Sequence, residues 1–252
     1  MGMKKYEAFN KKAKDYANGR PSYPVEVLNK LIDLGVKETS TIADIGAGTG
    51  LLTNMLCELG CHVYAIEPND EMLNECKKYC ASQTKLKCVC ASAEKTTLEE
   101  NSVDVITVAQ AFHWFDKEQC RIEFKRILKE NGYVVTVWNS LEEDSAFIKE
   151  YVEIIHRYEI KMTAGNLYFN PDEEKLKFLG QDFVKAYFDN YQTATLEALI
   201  SNVSSISYMP SKSDDRYTEM VEELTHLFNK YQQNGTVTFH YKTEVCIGQF
   251  AS

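Results

Sequence analysis

Between residues 41 and 139, short apolar runs alternate with stretches whose apolar residues recur every three or four positions. The first pattern suits strands buried on both faces, and the second suits amphipathic helices. Thr41-Ile42-Ala43 reads as a strand and 51–56 as the helix after it. A second strand covers 62–67. A helix from about Asn69 presents Met72, Leu73, Cys76, Tyr79 and Cys80 as its buried stripe. Strands follow near 86–91 and over 103–109, the latter apolar apart from Asp104 and Thr107. Asp116 with Gln119 has the spacing of a capping box. Cys120, Phe124, Ile127 and Leu128 form the core face of that helix, and Asn131-Gly132 ends it before a strand over 133–138. Strands alternating with helices predict an α/β fold, a parallel sheet with helices on both faces.

The flanks are less regular. Arg20-Pro21-Ser22-Tyr23-Pro24 is stiffened by two prolines. Val25, Leu28, Leu31 and Ile32 give a helical apolar face that stops near Gly35. Beyond the sheet, a helix is expected over 147–158, a loop over 160–171, a short helix over 172–180 and a strand over 183–193. A long amphipathic helix carries Met220, Val221, Leu224, Leu227, Phe228 and Tyr231, and a last strand covers 236–250. The expected organisation is one domain: an N-terminal helical lid (1–40), a cofactor-binding core (41–139), a partly helical cap or insert with a strand (140–235) and a final strand (236–252). The third segment is too long for a simple connection.

The most informative stretch is Asp44-Ile45-Gly46-Ala47-Gly48-Thr49-Gly50. It sits between the first strand and its helix. Alternating glycines let the backbone turn sharply and let a ligand come close. The helix start behind them aims unpaired N–H groups at that ligand. Glu67 ends the second strand, where an acid can hold ribose hydroxyls. A dinucleotide site would carry Gly-x-Gly-x-x-Gly, but here the third glycine comes early, at Gly50, and Leu51 follows it.

Asp44–Gly50 matches without a gap the first motif of class I S-adenosylmethionine-dependent methyltransferases, and the chain resembles that family further on. Glu67-Pro68-Asn69 with Met72 is similar to the second-strand motif, which implies ribose contacts from Glu67 and adenine packing from Pro68 and Met72. Ala91-Ser92-Ala93-Glu94 resembles the adenine-binding segment, with Ser92 and Ala93 in the contacting places. Ala109 and Gln110, leading into Ala111-Phe112-His113-Trp114-Phe115, resemble the fourth-strand exit beside the methionine portion. Residues 127–132 resemble the turn that ends the following helix. Tyr16, Arg20-Pro21-Ser22-Tyr23-Pro24 and the Phe-His-Trp-Phe segment are similar to a small-molecule branch that includes trans-aconitate methyltransferase-like proteins. The resemblance covers about residues 6–139. It implies a Rossmann-like, seven-stranded, mainly parallel sheet with an antiparallel last strand, and S-adenosyl-L-methionine as cofactor. It also suggests a small carboxylate as the first acceptor to test.

His113 follows the fourth strand, where the methyl group should point. It is a candidate base, a hydrogen-bonding group or a pocket wall. Trp114 and Trp138 are candidates to line the acceptor pocket, as is Tyr23, with core packing as the alternative for the tryptophans. Arg20 has three readings: a partner for the methionine carboxylate, a partner for an acidic substrate, or a surface charge. Tyr16 either closes over the cofactor or simply packs. Tyr168 and Phe169 are candidate lid residues. The alternatives to an active methyltransferase are an NAD-dependent oxidoreductase and a non-catalytic S-adenosylmethionine-binding regulator.

Composition narrows the partners. A net charge of −9 disfavours a nucleic-acid surface, which needs clustered Lys and Arg. The nucleic-acid amino-methyltransferases carry Asn/Asp-Pro-Pro-aromatic after strand four, whereas this chain has Gln110-Ala111-Phe112-His113. No apolar run reaches the roughly 18 residues of a membrane span, and the first residues lack a signal-peptide core, so a cytoplasmic location is expected. The eight cysteines lack zinc-site spacing and read as reduced core residues, with no metal expected.

Overall fold

The computed structural model describes residues 19–160, 171–180, 182–206 and 208–250. The element order is α1 (Glu26–Asp33), β1 (Thr41–Ile45), α2 (Leu51–Cys57), β2 (His62–Ile66), α3 (Asp70–Tyr79), β3 (Leu86–Val89), β4 (Val103–Ala109), a 3-10 turn (Phe112–Trp114) and α4 (Lys117–Ile127). Then come β5 (Leu128–Leu141), α5 (Ala146–Tyr158), α6 (Pro171–Leu179), β6 (Val184–Ala194), α7 (Leu196–Ser205), α8 (Tyr217–Tyr231) and β7 (Val237–Gly248). The seven strands lie in the order β3-β2-β1-β4-β5-β7-β6. β1 pairs in parallel with β2 and β4, β2 with β3, and β4 with β5. β7 is the antiparallel strand. This is the Rossmann-like sheet the sequence implies.

The chain forms two compact units. Among the described residues, one unit contains 23–139, 171–188 and 243–250, and the other contains 19–22, 140–160 and 189–242. In the first unit, one apolar cluster joins Ile45, Ile66, Ile106 and Val108 to Phe112, Phe124, Ile127 and Phe178. A second joins Val27, Leu28 and Leu31 of α1 to Ile42, Leu52, Leu56, Val105, Val135 and Val137. Each cluster takes side chains from alternate positions of the same strands, so the sheet is covered on both faces. The core of the other unit is aromatic. Phe239 packs edge-on to Phe147 at 5.2 Å and to Tyr151 at 5.0 Å. Leu199, Val203, Met220 and Leu224 complete that cluster.

Several local expectations need correction. The buried residues of α1 are Val27, Leu28 and Leu31, while Val25 and Ile32 are exposed. Tyr79 is also exposed, at the end of α3. α4 stops at Ile127 rather than running to the Asn131-Gly132 pair, because Leu128 already pairs with Val103 in the sheet. α7 has no counterpart in the sequence reading. Its buried face mixes Leu199 and Val203 with Ser201, Asn202, Ser204 and Ser205, although Leu196, Leu199, Ile200 and Val203 recur at helical spacing.

Phe239 is almost fully buried and touches three aromatic rings. Phe239→Ala should therefore cost about 3–5 kcal/mol in urea denaturation. A loss under about 1 kcal/mol, the range of surface substitutions, would mean this cluster does not hold its unit together.

Candidate active site

β1 lies between β2 and β4, with Ile45 opposite Ile66 and Asp44 opposite Thr107. The carboxyl ends of these three strands therefore open side by side. The chain leaves β1 toward β2 on one side, while β4 lies on the other. A ligand crevice forms at such a switch point in an open α/β sheet.

The glycine turn closes the end of β1. Gly46 and Ala47 both donate N–H to Ile66 O, at 2.8 and 3.1 Å. Gly46, Gly48 and Gly50 have φ of +73°, +57° and +90°, a region side chains rarely enter. Space forbids side chains as well. A Cβ at Gly46 would lie 2.6 Å from Ala111 Cβ, and one at Gly50 would lie 2.7 Å from Cys76 Sγ.

Asp44 is buried beneath this turn. Its carboxylate accepts Thr53 Oγ1–H at 2.6 Å and Thr107 Oγ1–H at 2.9 Å. Burial pushes its pKa up to about 6, against the lowering effect of the two hydroxyls. Glu67 accepts Asn69 N–H at 2.9 Å and Gly48 N–H at 3.0 Å. Burial also raises the Glu67 pKa, opposed by those two N–H groups and reinforced by Asp44. Asn69 caps α3, its Oδ1 accepting Met72 N–H at 3.0 Å.

Two further segments border the strand ends. The loop after β3 bends back at Ser92, whose carbonyl accepts Lys95 N–H at 3.2 Å. Glu123 holds this loop from α4, accepting both Thr96 N–H, at 2.8 Å, and its hydroxyl. After β4 the backbone turns through Gln110, at φ +53°. This left-handed conformation costs a non-glycine residue about 1–2 kcal/mol. Phe112 of the 3-10 turn is buried edge-on to Phe178 at 5.0 Å. A 3-10 helix rotates about 120° per residue, so with Phe112 inside its successors point elsewhere. His113 is exposed and Trp114 half-buried. The His113 ring lies 4.7 Å from Trp114 and 5.3 Å from Trp138 of β5.

Comparison with known proteins accords with this geometry. Residues 43–136 match a methyltransferase domain family. A candidate methyltransferase of Dictyostelium discoideum is 32% identical over 212 residues, covering 82% of this chain and 77% of that one. The chain belongs to the class I S-adenosylmethionine-dependent methyltransferases. Uncharacterized methyltransferases of Mycobacterium tuberculosis are 38% identical over 142 residues, and the match spans 56% of their length and of this chain. A malonyl-[acyl-carrier protein] O-methyltransferase of Marinomonas sp. is 25% identical over 206 residues, 74% of each chain. The fold matches a solved candidate type II methyltransferase from Anaeromyxobacter dehalogenans with a TM-score of 0.68 at 20% identity, covering 91% of this chain and 97% of that one.

The site of this methyltransferase fits its cofactor. Thr49 Oγ1, inside the glycine turn, is buried and has no hydrogen-bond partner among the described residues. A polar ligand group would satisfy it. The glycines let a ligand approach the turn closely, and Glu67 keeps lone pairs for hydroxyl donors.

The structure gathers Asp44, Gly46, Ala47, Gly48, Gly50 and Glu67 at the strand ends, with Met72 and Ala93 buried. Pro68 directly follows Glu67, and its carbonyl accepts Cys90 S–H at 3.8 Å. Ala109 ends β4 and Gln110 follows it. Tyr23 is half-buried against the α1 cluster. Arg20 belongs to the other unit, where its charge acts on Tyr151 and Tyr241. Tyr16, Tyr168 and Phe169 lie outside the described residues. Thr53, Thr107, Thr49 and Asn139 escaped sequence reasoning. Thr107 had left a trace, as a polar break in an apolar strand. Among the described residues no group of His, Cys, Asp and Glu could hold a metal ion, and no helix is long and apolar enough to cross a membrane.

Asp44 allows a test of sign. Its folded pKa of about 6 exceeds the ordinary 3.8. Protonated Asp44 therefore favours the fold. That contribution is complete below about pH 4 and lost as pH rises through about 6. Asp44→Asn should gain stability relative to the parent between pH 4 and 7, by up to about 3 kcal/mol in urea melts. A pH-independent difference would contradict the burial argument.

Proposed function

We propose that the chain transfers a methyl group from S-adenosylmethionine to an oxygen of a small carboxylate. The observation that carries this reading is the convergence of the glycine turn, Glu67 and the β4 exit at adjacent strand ends. When bound, the cofactor supplies an electrophilic methyl group on a sulfonium.

The protein's own residues bind, orient and keep water out. Glu67 accepts the ribose hydroxyls on the lone pairs left by Gly48 and Asn69. The Thr49 hydroxyl, inside the turn, meets a polar group of the ligand. Met72 and Ala93, with Pro68 and Ser92, border the adenine. Ala109 and Gln110 border the methionine portion. His113, Trp114 and Trp138 form the wall against which the acceptor sits. Their rings exclude water and align the acceptor oxygen with the methyl carbon.

A carboxylate is already an anion at neutral pH, so no group has to remove a proton. His113 then donates a hydrogen bond that orients the acceptor, which suits its exposed place in the wall. The Marinomonas relative supports an acidic acceptor, since by its name it methylates an oxygen of a malonyl group.

The test is transfer of labelled methyl to short dicarboxylic acids and malonyl thioesters, with amines and phenols as comparators. The expected product is a base-labile ester. Base-stable label on an amine would contradict O-methylation. His113→Ala should lower the rate by less than about tenfold, whereas loss of a general base costs about 100- to 10,000-fold. A loss in that larger range would make His113 the base.

A further inference from the structure

Gln110 follows β4 in a left-handed conformation, although it is not glycine. Its backbone N–H donates to Val137 O at 3.1 Å, continuing the ladder between β4 and β5. Its side chain returns to the same strand, and Nε2 donates to Asn139 O at 3.0 Å. The two bonds bracket Trp138. Asn139 is held in turn, because its buried Oδ1 accepts Thr243 Oγ1–H of β7 at 2.6 Å. Two residues beyond Ala111, which packs against the glycine turn at Gly46, comes His113, edge-on to the bracketed Trp138.

A glycine at 110 would adopt this φ without strain but would carry no amide. Strain retained at the edge of a site is informative when the surrounding structure fixes it. Here a backbone bond and a side-chain bond to one strand fix it together.

We propose that Gln110 is a positioning residue for methyl transfer. Clamped on both sides of Trp138, it holds the turn bearing His113 and Trp114 against β5, so that the acceptor wall has a single geometry. Gln110 thereby acts through His113 and the two tryptophans. The proposal rests on the reading of those rings as the acceptor side.

Trp114 and Trp138 are the only tryptophans in the chain, so tryptophan signals report on this wall alone. The experiment uses the full chain and compares the parent with Gln110→Glu and Gln110→Gly. Glutamate keeps the shape but presents an acceptor to the Asn139 carbonyl, and glycine removes the amide. Both variants should lose about half of the circular dichroism at 290–300 nm and show about a twofold rise in acrylamide quenching. Calorimetric affinity for S-adenosylhomocysteine is read on the same variants.

Unchanged tryptophan signals in both folded variants would overturn the clamp. A loss of affinity beyond about tenfold with unchanged tryptophan signals would instead make Gln110 a direct cofactor ligand. Should neither variant fold, Gln110→Met keeps the side chain's length but donates nothing to the Asn139 carbonyl. It should shift the same two signals in the same direction, and no shift would overturn the proposal. Failure of the parent to bind S-adenosylhomocysteine would sink the functional reading while leaving these signals interpretable, so the two failures are distinguishable.

Discussion

The carboxylate of Asp44 meets the hydroxyls of Thr53 and Thr107 in the interior, and three elements converge on it. Asp44 lies next to the end of β1, Thr53 lies in α2 and Thr107 lies in β4. The glycine turn runs between the first two and packs against the third through Ala111. Burying a carboxylate is costly unless it is well hydrogen-bonded. The two hydroxyls offset only part of that cost, since the pKa still rises to about 6. Stability is thus given up at the point where the turn is shaped, as is common at functional sites.

Glu67 repeats the theme across the crevice. It too is buried, satisfied by two backbone N–H groups, and raised further by the proximity of Asp44. Two carboxylates with disfavoured charge make the strand ends electronegative. On the other side of the turn the interactions change character: aromatic rings replace carboxylates, and Phe112, Phe178 and Phe124 anchor the segment from below. One end of the site thus carries buried carboxylates, and the other aromatic rings.

Much of this organisation is legible in the sequence, and for clear reasons. β4 is visible because buried parallel strands are nearly all apolar. The glycine turn is visible because left-handed backbone and close packing both select glycine. Glu67 follows from its place at the end of β2. What escapes comes from tertiary context. Thr53 and Thr107 look like ordinary helix and strand residues until Asp44 is placed between them. Gln110 reads as a cofactor contact, and only the position of Asn139 on β5 reveals where its amide goes. α7 mixes buried serines and an asparagine with its apolar residues, and β5 begins earlier than its asparagine–glycine pair suggests because pairing with Val103 overrides the turn signal. Arg20 carries too little local pattern to choose among its partners.

The central claim is that the glycine turn and Glu67 form a site for the adenosyl–methionine ligand rather than for a dinucleotide. Calorimetric titration of the parent protein with S-adenosylhomocysteine and, separately, with NADH tests it most directly. The expected result is saturable one-to-one binding of S-adenosylhomocysteine and no measurable heat from NADH. Saturable NADH binding with none for S-adenosylhomocysteine would contradict it.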